Sequence, residues 1–107
     1  MAQVTTWTNL VLTLQVPEAE RVDAVLDHLS AVMFATEMTA NAVGFGDQTG
    51  RKVEVTVPVD DDPSALSVIG ALTPMALAAL KATGCAVVSL SYRFEMVGDG
   101  ELVPLAG

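Results

Sequence analysis

The chain has 107 residues, room for one domain (1–107) and one core, with thirteen acids against five cations and a net charge of −8. That balance repels phosphate backbones and anionic lipid surfaces, so neither nucleic acid nor a membrane is an expected partner. Hydrophobic residues make up 51% and aromatics only 5%, and a single cysteine excludes a disulfide framework or a multi-cysteine zinc site.

The first twenty residues lack the basic segment and small-residue cleavage site of a leader, which predicts a cytoplasmic protein. "TNLVLTLQV" (8–16) alternates, with Leu10, Leu12, Leu14 and Val16 on one side and Asn9, Val11, Thr13 and Gln15 on the other. That is a half-buried strand. Pro17 follows at a helix start with Glu18 and Glu20 in the first turn, where the helix dipole favours acids. Val22, Val25, Leu26, Leu29 and Met33 then form one apolar stripe, and Glu20, Asp23, Asp27 and Ser30 the opposite face.

Residues 36–45 and 51–59 read as two strands around "GFGDQTG". In the second, Val53, Val55, Val57 and Val59 alternate with Lys52, Glu54, Thr56 and Pro58, and Pro58 marks an unpaired end or an edge. Residues 63–83 predict a second helix, with Asp62 as N-cap, Pro63 at the first position and Gly84 as its stop. Pro74 predicts a kink, or two short helices meeting near Leu72. Residues 64 to 80 carry no charge but fall short of the ~20 apolar residues that a membrane span requires.

A strand over 85–97 alternates again, with Ala86, Val88, Leu90, Tyr92, Phe94 and Met96 on one side. "GDG" turns the chain, and "ELVPL" predicts a short extra C-terminal strand blunted by Pro104. The order β-α-β-β-α-β resembles the ferredoxin-like α+β sandwich, an antiparallel sheet with two helices on one face. Unrelated functions share that fold, so it carries little functional weight.

The stretch "VGFGDQTGRK" (43–52) invites comparison with a phosphate-binding loop. Such a loop needs a helix directly after it, so that backbone N–H groups and the dipole converge on the anion. Here "VEVTVPV" follows, which is strand, so the glycines are expected to supply the positive-φ residues of a hairpin loop.

Asp60, Asp61 and Asp62 are consecutive, so their side chains diverge and no metal site is expected; no cofactor motif occurs either. Cys85 follows a helix C-terminus, the wrong dipole sign for a thiolate, and reads as a structural thiol. His28 is the one histidine, about 100° from the centre of its helix's apolar stripe. If the first and last strands are neighbours, Trp7, Asn9 and Arg93 become candidates for a ligand pocket on the free sheet face, although Tyr92 and Arg93 must point oppositely.

The strongest signal is the second helix, whose apolar residues sweep about 200° against the roughly 100° that one core face requires. Leu66, Ile69, Leu72, Met75, Ala76 and Leu80 are the expected interface. The chain therefore reads as a small acidic binding or assembly protein, regulatory, accessory or inhibitory, acting as a homo-oligomer or a subunit. The competing expectation is a small cofactor-independent enzyme of the dimeric α+β barrel type. It would use His28, Asn9, Arg93 and Tyr92, which must then converge on one cavity.

Overall fold

The computed structural model describes residues 6–60, 62–98 and 101–103, with side chains over 8–60 and 63–95. The chain is α+β: β1 (Thr6–Gln15), α1 (Val22–Ala35), β2 (Val43–Asp47), β3 (Lys52–Val59), α2 (Asp62–Ala82), β4 (Ser89–Gly98) and β5 (Glu101–Val103). The strands form an antiparallel sheet in the order β2-β3-β1-β4-β5, with β1 paired on both sides and β2 at one edge.

Register turns the alternation of each strand into rows across the sheet. Gly46, Val53, Leu14 and Leu90 form one row on the helix side, and Gly44, Val55, Leu12 and Tyr92 the next. Side-chain size therefore rises from β2 to β4. Where the row is glycine, α1 settles almost onto the backbone. A Cβ on Gly44 would lie 2.7 Å from Leu26 Cδ1, and one on Gly46 3.0 Å from Val22 Cγ1. Val22, Val25, Leu29 and Met33 of α1 then join Leu10, Leu12, Leu14 and the four β3 valines in one core. From α2 come Ala65, Val68, Leu72, Ala76, Ala79 and Leu80, at the spacing of a single helical stripe.

Several expected boundaries move. The first helix begins with a 3₁₀ turn at Ala19–Arg21 and becomes α-helical only at Val22. Residues 36–42 are not strand: Glu37–Thr39 is a 3₁₀ turn. Its cause is local, since Thr39 Oγ1 donates to the carbonyl of Met33 at 2.9 Å and Thr36 N–H donates to the same carbonyl at 3.2 Å. Such side-chain bonds cap a helix and compete with strand pairing. The last long strand starts at Ser89 instead of 85, and the short extra strand is present as β5.

Pro74 neither splits nor ends α2, which is continuous over 21 residues. Pro74 and Gly70, whose carbonyl loses its partner, both lie on the exposed side, where water can satisfy that oxygen. At the far end Gly84 takes φ 73°, and the N–H groups of Gly84 and Cys85 donate to the carbonyls of Lys81 and Leu80. That is a Schellman stop, as Gly84 led us to expect. Arg21 donates to the adjacent Thr83 carbonyl, setting a cation at the negative end of α2. Asp62 is the first residue of α2, and its expected cap falls outside the described side chains.

Two substitutions test this account. Gly44→Val should drive its branched side chain into Leu26 and cost about 1–3 kcal/mol by overpacking, seen as a lowered Tm in thermal melts. Arg51 holds φ 53° at the β2–β3 turn, so Arg51→Gly should gain about 1 kcal/mol by removing a left-handed side-chain clash, raising Tm.

Candidate functional site

The glycine stretch is a hairpin, and no helix follows it. Its chemistry differs from expectation in one respect: neither Gly46 nor Gly50 carries a positive φ, and Arg51 does. Asp47 Oδ1 accepts from Gly50 N–H at 3.0 Å and the carbonyl of Gln48 from Arg51 N–H at 3.2 Å, closing the turn. Gln15 Nε2 ties the tip to the end of β1 through the carbonyls of Gly50 and Arg51. Gly44 and Gly46 belong to β2 and exist for the approach of α1, not for the turn.

On the open sheet face, Arg93 reaches across β1. Its Nη1 donates to Thr13 Oγ1 at 3.0 Å and Glu54 Oε2 at 3.2 Å, and its Nη2 to Glu95 Oε2 at 3.3 Å. A side chain running from β4 to a β3 carboxylate must lie over β1, and Val11, its cross-strand neighbour, is only 1% exposed although it faces away from the helices. The guanidinium expected as a ligand contact is thus occupied by two carboxylates and a hydroxyl. Asn9 lies on the same face between Pro58 and Glu95. Trp7 belongs to β1, and its side chain lies outside the described ones.

Tyr92 points the other way, as parity requires. Its hydroxyl lies 2.6 Å from Thr73 Oγ1 and 3.5 Å from the carbonyl of Ile69, which it can only approach as donor. Burial raises the phenol above its usual value, and the Thr73 hydrogen bond opposes that rise. His28 is exposed on α1. The four polar candidates therefore sit on three separate surfaces: the open face holds Asn9 and Arg93, the helix side Tyr92, and the outside of α1 His28. They do not share a cavity. Cys85 is buried behind the α2 stop, with Thr83 Oγ1 3.4 Å from its sulfur. Asp60 is exposed at the end of β3, while Asp61 and the Asp62 side chain lie outside the described residues. Among the described residues no three metal-ligating side chains come together.

Several large apolar side chains remain uncovered. Leu72, Ala76 and Leu80, expected at an interface, are fully buried in the chain's own core and cannot meet another chain. They belong to the stripe that covers the sheet. Ile69 and Met75 are half-buried. Leu66 is 68% exposed and Leu77 39%, and Leu66, Ala65, Ile69 and Phe94 line a shallow groove of about 310 Å³ beside β4. A second hollow of about 470 Å³ lies among Met38, Pro58, Asp60 and Ser67 at the start of α2. At the opposite edge of the sheet Val43 is 66% and Phe45 62% exposed. Sequence reading placed both in a strand over 36–45 but gave them no role at its surface; alternating glycine and apolar residues was the available sign of a strand pressed close on one face.

By length and composition Pro63–Ala82 is also apolar enough to cross a membrane, with mean hydropathy 1.6, contrary to expectation from residues 64–80 alone. Here its stripe is committed to the core.

The molecule is thus an α+β chain with an antiparallel sheet, two helices, and exposed apolar residues on α2 and on the open face of β2. No family model, characterised protein or solved structure matches it.

The raised Tyr92 phenol has a consequence for stability. A group whose folded pKa is raised contributes fully below its unfolded value, about 10, and that contribution is lost as pH rises through the folded one. Thermal melts from pH 8 to 11 should show an alkaline loss of stability that is smaller in Tyr92→Phe.

Proposed function

We propose that this chain is a non-catalytic binding and assembly protein on a ferredoxin-like sandwich, and that it self-associates through the outer side of α2. The order β2-β3-β1-β4, with two βα units separated by a hairpin, supports the fold assignment. The observation that carries the assembly is the pairing of exposure with neutrality. In a chain of net charge −8, residues 63–80 hold no ionisable side chain, yet Leu66 and Leu77 stand in solvent there. Two acidic copies repel each other everywhere except where neither carries charge.

Leu66, Gly70, Thr73 and Leu77 succeed one another at spacings of four, three and four, one line along the helix. In a twofold antiparallel pairing, Leu66 of one protomer faces Leu77 of its partner and Gly70 faces Thr73. Nothing lies within 4 Å of a Cβ built on Gly70, so a second backbone can come close. The groove beside Phe94 takes the flank of the incoming helix. Such a dimer acts by occupying a partner's surface, in a regulatory, accessory or inhibitory role. A lone buried cysteine suits the reducing cytoplasm.

Light scattering coupled to size exclusion tests this directly. The natural chain should run as a dimer. Leu66→Glu with Leu77→Glu should run as a folded monomer that still unfolds cooperatively and whose Tm no longer depends on concentration, because both side chains are exposed in one copy. A natural chain that stays strictly monomeric at high concentration removes the assembly.

A further inference from the structure

We propose that the free edge of β2 takes up an extended segment of a basic polypeptide as a sixth strand, the added segment alternating apolar residues with Lys or Arg. β2 is terminal in the sheet, and among the described residues no strand lies beyond it. Edge strands are normally guarded by charge, proline, a bulge or a covering element. Residues 43–46 are Val, Gly, Phe and Gly, in unbroken register with β3, and among the described residues no element covers their outer edge. The glycines bring no side chain to the helix side, so nothing of β2 itself stands between its backbone and an arriving strand.

The two faces of that edge differ, and the difference selects the occupant. On the open face Val43 and Phe45 are mostly exposed, an apolar shelf for every second residue of an added strand. On the helix side the neighbour is α1. Asp23, Asp27, Ser30 and Phe34 follow at spacings of four, three and four and so share one side of it. That side is the one beside β2: Asp23 Oδ1 lies 4.0 Å from a Cβ built on Gly46, and Ser30 Oγ 3.7 Å from one built on Gly44. An added strand lies about 4.8 Å outward, so its helix-side residues come up against the exposed carboxylates of Asp23 and Asp27. Asp47 is opposed by Lys52 in the ladder. Main-chain hydrogen bonds give such a complex its affinity and alternate side chains its selectivity. A second copy of this chain is disfavoured at this edge, because it would bring a second acidic row against the first.

The probe is the peptide acetyl-KVKVKVK-amide, with acetyl-EVEVEVE-amide as control, read by fluorescence anisotropy and by deuterium exchange of the full chain. The basic peptide should bind, slow exchange at residues 43–47 and weaken with salt. Its affinity should fall at least tenfold in Phe45→Asp and in the double variant Asp23→Asn, Asp27→Asn, while Leu66→Glu with Leu77→Glu leaves it unchanged. No binding, equal binding of the acidic peptide, protection elsewhere, or protection of 43–47 by raised protein concentration alone would each overturn the proposal. Because Phe45 and Asp23 lie in solvent or at its margin, their variants should fold, which unchanged melting curves would verify.

Discussion

The close seat of α1 on the two glycines of β2 decides the rest of the molecule. With Leu26 already within 2.7 Å of where a Gly44 side chain would begin, the helical layer is pinned low at that edge. Across the sheet the rows then grow through valine and leucine to Tyr92, and these larger side chains fill a space that widens away from α1. α2 spends one stripe on that space and has apolar residues left over. β2, stripped of side chains on the same face, is left with a bare backbone margin. The bare margin of β2 thus descends from the seating of α1, made where the sequence spells Gly-Phe-Gly.

Much of this was legible beforehand because strands with one wet face must alternate. "TNLVLTLQV" and "RKVEVTVPV" placed every leucine and valine of β1 and β3 correctly, and the opposed parity of Tyr92 and Arg93 followed from the same rule. Gly84 announced the end of α2 because an L-residue there would be strained. What periodicity could not show was competition from local hydrogen bonds. Residues 36–42 were read as the start of a strand, yet the hydroxyl of Thr39 finds the carbonyl of Met33 and winds the segment into a turn. Nor could it say that Pro74 would face outward, where the freed carbonyl of Gly70 costs little. The interface residues divided for a related reason. A 200° apolar sweep tells how much must be covered but not which part the chain covers itself, and Leu72, Ala76 and Leu80 went inward while Leu66 stayed out.

Charge completes the division of surfaces. The acids of α1 gather beside the bare margin of β2, the uncharged run 63–80 holds the opposite flank, and on the open face between them Arg93 pairs with both Glu54 and Glu95. Exposed ion pairs of that kind add little stability. Their effect is to keep Arg93 over Val11 and to leave that face without a free cation near its centre. The two flanks thus differ in charge, one acidic and the other neutral.

The central place of β1 also governs how the chain comes into being. Its partners are residues 52–59 and 89–98, so β1 has no paired neighbour until β3 has followed it, and no second neighbour until β4 has. Leu10, Leu12 and Leu14 travel uncovered for that interval. Such distant pairings make folding slow relative to helical chains of this size. During translation, the ten residues of β1 are where a chaperone would take hold.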